Sequence, residues 1–406
     1  MNSFLSRLGP GLLYAGASVG VSHLVQSTRA GAGYGLVMVF VVILANILKY
    51  PFFKAGPLYA SQTGKSLLEA FYETGRFAMA LFYVVTIGTM FAVQAAVTLI
   101  TASVISSIFG LNFPLWQVSA VILSVCFLIL IIGQYNWLSK IMKWVIILLT
   151  LATIITLIAA FANPPEQIVE SLSFSFSSNT DVLFLIALIG WMPAPLDISL
   201  WHSEWTLAES KTLSVKKSLF DFQIGYWGTT FLAAAFVTLG SIMLRGSGEE
   251  LSSSGVVFSV QVIGMYTKTL GNWSFLFVAI AAFTTMFSTT LTVLDAFPRI
   301  LNKAIRLSIN NSSISEKRSY AYILLLLITG TLISLIYLLD NMKQLIDFAT
   351  SISFVTAPIL ASLIFWVVYK NKETFKQFSR LNQLLAVLGI SFLFAFSAYY
   401  IVLKLA

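Results

Sequence analysis

Residues 9–35 read GPGLLYAGASVGVSHLVQSTRAGAGYG, and this stretch limits the architecture more than any other. It is apolar enough to enter a bilayer and long enough, against the roughly 20 residues a helix needs, to cross one. Its centre, Gly16 to His23, holds two glycines, two serines and a histidine. Those residues lower helix propensity and set polar groups at membrane depth. Irregular backbone survives there only when buried in protein or lining a watery cavity. The stretch therefore predicts a broken helix, with Pro10 starting one half and the second half running on from about Ser22.

Composition fixes the class. Of 406 residues, 58% are hydrophobic and 10% charged, which excludes a soluble enzyme and predicts an all-α polytopic membrane protein in the lipid bilayer. One cysteine, Cys126, allows no internal disulfide. The first apolar segment is too long for a cleavable signal and lacks a small-residue cleavage pattern. About eleven spans are predicted, at 10–31, 35–53, 78–105, 113–132, 141–162, 182–201, 222–244, 275–297, 320–339, 348–369 and 385–403.

The formal charge of +8 sits mostly at span ends, which speaks for topology rather than nucleic acid. Of 24 Lys and Arg, only Arg29, Arg245, Lys268, Lys343 and Lys404 fall opposite the N-terminus; the rest, Lys49 and Lys54 among them, are read as cytoplasmic. That bias predicts a multi-pass cell-membrane protein with its N-terminus inside and its C-terminus outside. The loops read as connectors: 163–181 polar and acidic, 302–319 and 370–380 basic, and 256–269 apolar enough for a short interfacial helix. No linker divides the chain, and nothing requires more than a monomer.

The sixth span repeats the oddity of the first. ALIGWMPAPLDISLWHSEW, residues 187–205, places Gly190, Pro193 and Pro195 at mid-membrane. Each proline lacks an amide donor and crowds the preceding turn, so a break is expected between about Gly190 and Leu196. Asp197 follows it, placed to cap the second half-helix or face a cavity. Breaks five spans apart, entered from opposite sides, are what an inverted five-plus-five repeat of a transporter predicts. Repeat one would cover about 8–162, repeat two about 182–370, and an extra helix about 383–404. Freed carbonyls and half-helix C-termini attract cations at such a midplane.

The run Gly9-Pro10-Gly11, the run Ala30 to Gly35 (A-G-A-x-Y-G) and the following LANILK resemble the first two spans of the Nramp family. The resemblance implies a LeuT-like fold and a divalent metal ion as cargo. In the gapless register the family's D-P-G-N falls on Gly20, Val21, Ser22 and His23, so its metal-binding aspartate is Gly20 and its asparagine ligand His23. The family's A-x-x-M-P-H-N matches at Met192-Pro193, while Ile189 replaces the alanine and Ala194-Pro195 replaces H-N. His202 stands near a family histidine of the inner half-helix and is a candidate for proton handling or gating. The membrane-embedded acid expected in the third span is missing, with Gln94 its main polar group, and the ninth span lacks a central arginine. Proton coupling is accordingly expected to be weak.

With Gly20 in place of the carboxylate, the candidate ligands are Gly20, Ser22, His23, Met192, Asp197 and Thr356. Asp197 would supply charge, or serve as a helix cap. His23 offers imidazole to a transition metal, or a hydrogen bond that fixes the loop. Met192 offers a thioether or packs. Thr356 precedes Pro358 on the tenth span, and Thr284 to Thr292 is rich in hydroxyls; packing is the plainer role for both. Arg29 would repel cations at the mouth of a path and is expected to snorkel to the interface. Asp221 and Asp347 sit near span ends and are expected to be solvated.

No Walker-type loop or nucleophile elbow is present, and two histidines cannot build a hydrolytic zinc site, so neither an enzyme nor an ATP-driven pump is expected. No resident cofactor is expected either. The leading expectation is a secondary transporter or facilitator of a divalent ion such as magnesium or manganese. The alternatives are a carrier of the same fold for a small organic solute and a non-transporting sensor or channel-like protein.

Overall fold

The computed structural model describes residues 9–133, 135–162, 174–209, 214–245, 251–309, 315–337 and 341–405. The side chains of 135–146 and 209 lie outside that description, as do Arg7, Lys211 and the acidic stretch 163–173. The described residues form helices joined by short connections, without strands.

The first span is broken as its sequence predicts. Helix α1, Pro10–Ser18, ends at Val19 and Gly20; a wide π-helical turn, Val21–Ser27, then leads into α2, Thr28–Tyr34. Next come α3 (Val37–Thr63), the short α4 (Leu67–Thr74), α5 (Arg76–Phe109), α6 (Leu115–Ile132) and α7 (Tyr135–Ala162). The sixth span is again two pieces, α8 (Asn179–Gly190) and α9 (Asp197–Glu209). The rest are α10 (Val215–Leu239), α11 (Gly255–Leu270), α12 (Phe275–Ser308), α13 (Glu316–Tyr337), α14 (Met342–Lys370), α15 (Lys372–Lys376) and α16 (Arg380–Leu405). Eight helices among the described residues are long and apolar enough to cross a membrane. The other three expected spans fall on the two broken pairs and α7.

Several helices outrun the apolar windows, and α3 does so inside the protein, with residues 51–60 all buried. Helix α3 continues through Pro51 and Pro57 to Thr63, ten residues beyond the expected limit at 53. Helix α4 opens with a capping box: Glu69 N–H donates to the Ser66 hydroxyl, and Ser66 N–H to the Glu69 carboxylate. The segment expected as a short interfacial helix is the helix α11, and it buries one face against the protein, with Tyr266 hydrogen-bonded to Thr153 of α7.

The broken spans sit at the centre. Helix α1 packs on α9, α10 and α12, while α2 packs on α10 and its π-helical extension Gly240–Arg245. Gly31 of α2 lies against the Val237 carbonyl, leaving no room for a Cβ. Backbones come this close only through glycine, the usual device for helix contact in a bilayer. The amides of Gly9 and Gly11, which start the first span, donate to the carboxylate of Asp221 at 3.1 and 2.6 Å. Asp221 is therefore buried rather than solvated, satisfying orphan donors of α1 from another helix.

Candidate functional site at the two helix breaks

The end of α1 leaves carbonyls without helical partners, and hydroxyls take them. The Ser22 hydroxyl lies 2.7 Å from the Ser18 carbonyl. Thr289 of α12 reaches the carbonyls of Gly16 (3.1 Å) and Val19 (3.4 Å). Thr289 also fills the space beside Gly20: a Cβ there would sit 2.7 Å from its Oγ1. The position at which the family places an aspartate is thus closed to any side chain while Thr289 keeps this rotamer.

The end of α8 is satisfied differently. Pro193 follows Ile189 by four residues and has no amide to return, so the Ile189 carbonyl loses its α-helical donor and keeps a tighter-turn bond from the Met192 amide at 3.1 Å. The ammonium of Lys49 on α3 donates to Ile189 O at 2.6 Å and Gly190 O at 3.0 Å. Lys49 was expected at a cytoplasmic span end; it is 1% exposed and belongs to the break. The two breaks touch where Ser22 Oγ comes within 3.3 Å of the Pro193 carbonyl.

Between them lies a cavity of about 20 Å³, room for about one water. Its walls are Ala17, Ser18, Val21 and Ser22 of the first span, Val93 and Val97 of α5, and Thr289 and Val293 of α12. The sixth span contributes Trp191, Pro195, Ile198 and Trp201. The side chains that line it carry the hydroxyls of Ser18, Ser22 and Thr289 and the indole N–H groups of Trp191 and Trp201; Trp191 donates to Ser353 Oγ at 2.8 Å, and Ser18 Oγ makes no hydrogen bond. No charged side chain lines it.

Of the expected ligands, Ser22 lines this cavity and Gly20 abuts Thr289, which lines it too. His23 is fully buried beside it, with Nε2 3.0 Å from the Thr229 carbonyl and Nδ1 2.8 Å from Ser22 Oγ, so both ring nitrogens are engaged. Met192 is fully buried within the break. Asp197 is 5% exposed, with its carboxylate turned toward its own amide at the start of α9. Thr356 on α14 bonds to the carbonyls of Ile352 and Ser353. Among the described residues no three His, Cys, Asp or Glu side chains cluster closely enough to hold a metal.

His202 lies away from the cavity, toward the side on which the chain starts. It stacks on Tyr14 (5.6 Å between centroids) beside Phe222, and neither of its ring nitrogens makes a hydrogen bond. On that same side, Lys303 bridges Glu204 (2.9 Å) and Glu69 (3.3 Å), joining α12, α9 and α4. On the opposite side, Arg29 holds Asp347 of α14 through two bonds of 2.7 and 3.0 Å, and reaches Gln26 at 2.7 Å. Its guanidinium also lies 5.2 Å from the centroid of the Phe184 ring. Arg29 does not snorkel: it is 7% exposed and its partner 33%. Sequence reading missed Lys49, the Arg29–Asp347 pair and the placement of Thr289. A charged residue inside an apolar run was the one available signal, and it applied to Lys49.

The profile of the natural resistance-associated macrophage protein-like (Nramp) family matches residues 11–403. An uncharacterized protein of Pasteurella multocida (strain Pm70) is 32% identical, covering 98% of this chain and 93% of that protein. A solved manganese transporter of Eremococcus coleocola superposes with a TM-score of 0.70 at 13% identity, covering 98% of this chain and 86% of the other. MhsT, solved with L-phenylalanine, superposes with a TM-score of 0.67 at 15% identity and covers 98% of both chains.

Proposed function

Starting from the chain's membership of the Nramp family, whose members are membrane transporters and not enzymes, we propose that it carries a divalent metal ion by alternating access. One observation carries the reading: two half-helices end at a single cavity walled by neutral hydroxyls, with no charged side chain in its lining. Helix C-termini concentrate negative potential, and hydroxyl and carbonyl oxygens suit hard cations. With no carboxylate on the wall, the ion has to keep part of its water. This favours a hard ion such as magnesium or manganese, held loosely by oxygen, over a softer ion such as zinc held by imidazole and thioether.

Movement follows from the ion pairs on either side of the chamber. Arg29–Asp347 ties the first span to α14 on one side, and Lys303 ties α12 to α9 and α4 on the other. Opening one while the other holds admits the ion to one face at a time. Coupling to protons is expected to be weak, because the third span carries no acid at its centre and its main polar group there is Gln94, whose amide nitrogen donates to Thr98 Oγ1 and the Thr290 carbonyl. The Nramp-like manganese transporter and the LeuT-like fold support this reading.

Metal-resolved uptake into proteoliposomes tests it, with magnesium, manganese and cadmium run beside a panel of amino acids. Saturable flux of a divalent ion is the expected result; binding without flux would make the chain a sensor. A small organic solute remains the second reading, favoured by the apolar wall of Val93, Val97, Trp191 and Trp201. Flux that survives replacement of both His23 and Asp197 and belongs to an organic solute would decide for it.

A further inference from the structure

The cation-attracting pole at the end of α8 is already filled by part of the chain. The carbonyls of Ile189 and Gly190 end a helix that Pro193 prevents from continuing; Ile189 O accepts the Met192 amide, and both accept from Lys49. The end of a helix carries about half a negative charge, and a compact ammonium with three donors matches such a pole well. No carboxylate pairs with Lys49 among the described residues. The described acids on the elements packed against α3 pair elsewhere: Glu204 and Glu69 with Lys303, Asp221 with the amides of Gly9 and Gly11, and Asp347 with Arg29. Asp181 accepts from Tyr34, Glu73 and Glu373 pair with Lys65 and Lys376, and Asp197 makes no ion pair with Lys49. The negative end of α8 is thus the counter-charge of a fully buried side chain.

We propose that Lys49 is a tethered cation that occupies a small-monovalent-cation site at the C-terminus of α8, in place of a soluble co-ion. The site consists of the Ile189 and Gly190 carbonyls and the volume that the ammonium takes up. Shortening Lys49 to alanine vacates it for a dissolved ion of similar size, while methionine keeps it filled without charge. The inference concerns occupancy of this pole and holds whatever the cargo is.

The test is the thermal unfolding midpoint of the full chain in detergent or nanodiscs, read by tryptophan fluorescence. Chloride salts of ammonium, sodium, lithium, potassium and choline are compared at equal ionic strength. Wild type and Lys49→Met should show the same midpoint in every salt. Lys49→Ala should show a saturable rise of at least about 2 °C in ammonium or one small cation over choline, as expected for a ligand that binds only the folded state. If Lys49→Ala is not recovered folded in choline, recovery as a monodisperse peak in ammonium or sodium supports the site. Equal failure in every salt counts against it. A salt-independent Lys49→Ala, or a wild type that responds as strongly as the variant, overturns the proposal. Because unfolding is the readout, absence of metal flux would count against the transport reading and leave this one standing.

Discussion

Thr289 Oγ1 lies 2.7 Å from the point that a Cβ on Gly20 would occupy, and the same hydroxyl reaches the carbonyls of Gly16 and Val19. A threonine of α12 therefore does two things at the first break. It satisfies carbonyls that α1 leaves open, and it fills the space that a side chain at position 20 would need. Restoring a carboxylate at position 20 requires removal of the threonine.

Gly20→Asp alone is expected to destabilise the fold by about 1–3 kcal/mol, the usual cost of inserting volume into a packed interior. Thr289→Ala alone should cost about 1 kcal/mol through the lost hydrogen bond. The double variant should be more stable than the sum of the two and should bind divalent ions more tightly than wild type, since it alone admits the carboxylate. Unfolding midpoints for the four members of the cycle, with manganese titrations of the two folded extremes, check this. Strict additivity would mean that Thr289 does not guard the position.

The breaks were legible because their causes are local. Gly16 to His23 cannot hold a continuous helix, and Pro193 and Pro195 remove donors a few residues from the carbonyls that lose them. What fills those breaks was not legible. Lys49 meets Ile189 across 140 residues and Arg29 meets Asp347 across 318, and neither separation leaves a periodic signal. Lys49 read as a span-end cation because the apolar window closed at 53, whereas α3 continues to Thr63 and carries it into the interior. Asp221 read as solvated for the same reason: helix ends show in hydropathy, but the partner that covers them does not.

Arg29→Met should open the face of the chamber that lies beyond α2. Losing one partner of a fully buried ion pair costs ~3–5 kcal/mol, and a surface pair is worth ~0–1 kcal/mol. Asp347 is a third exposed, so the loss should fall between those limits. The measurement is the labelling rate of a cysteine placed at Ser18 in a Cys126→Ala background, using a membrane-impermeant thiol reagent from each side in turn. Faster labelling from the Arg29 side alone is expected; an unchanged rate would mean the pair does not close the path.

The Lys303 cluster predicts an acid limit for the opposite side. Burial pushes the Glu69 carboxyl upward, but the Ser66 amide and the Lys303 ammonium outweigh it and hold the group below its ordinary value of 4.5. A carboxyl depressed in the folded state adds stability above its unfolded value, and that stability is lost as pH falls through the folded one. The contribution is therefore whole at neutral pH, begins to fall below the ordinary value of 4.5 and is gone only once pH drops past the depressed folded value. Glu69→Gln should be less stable than wild type at pH 7 and should converge with it only below that folded value, where both side chains are neutral. A gap that stays constant across that range would assign Glu69 a purely steric role.

Asp197→Asn is expected to weaken divalent binding more than Met192→Ala does. Both residues are buried in or beside the sixth-span break, but they offer different chemistry. Hard oxygen ligands and charge dominate the hold on magnesium or manganese, most of all where water is scarce. Asp197 begins α9 between Pro195 and Ile198, which line the cavity, but does not line it itself, so binding an ion would require its carboxylate to swing toward that space. If it does, neutralising it should cost on the order of one to a few kcal/mol, about ten-fold or more in affinity. A thioether contributes little to a hard ion, and Met192→Ala should be mild for magnesium. Calorimetric titration of both variants with magnesium, manganese and cadmium separates the roles. A large Met192→Ala loss for cadmium or manganese with Asp197→Asn unchanged would leave Asp197 as a helix cap and move the ion to the sulfur side of the break.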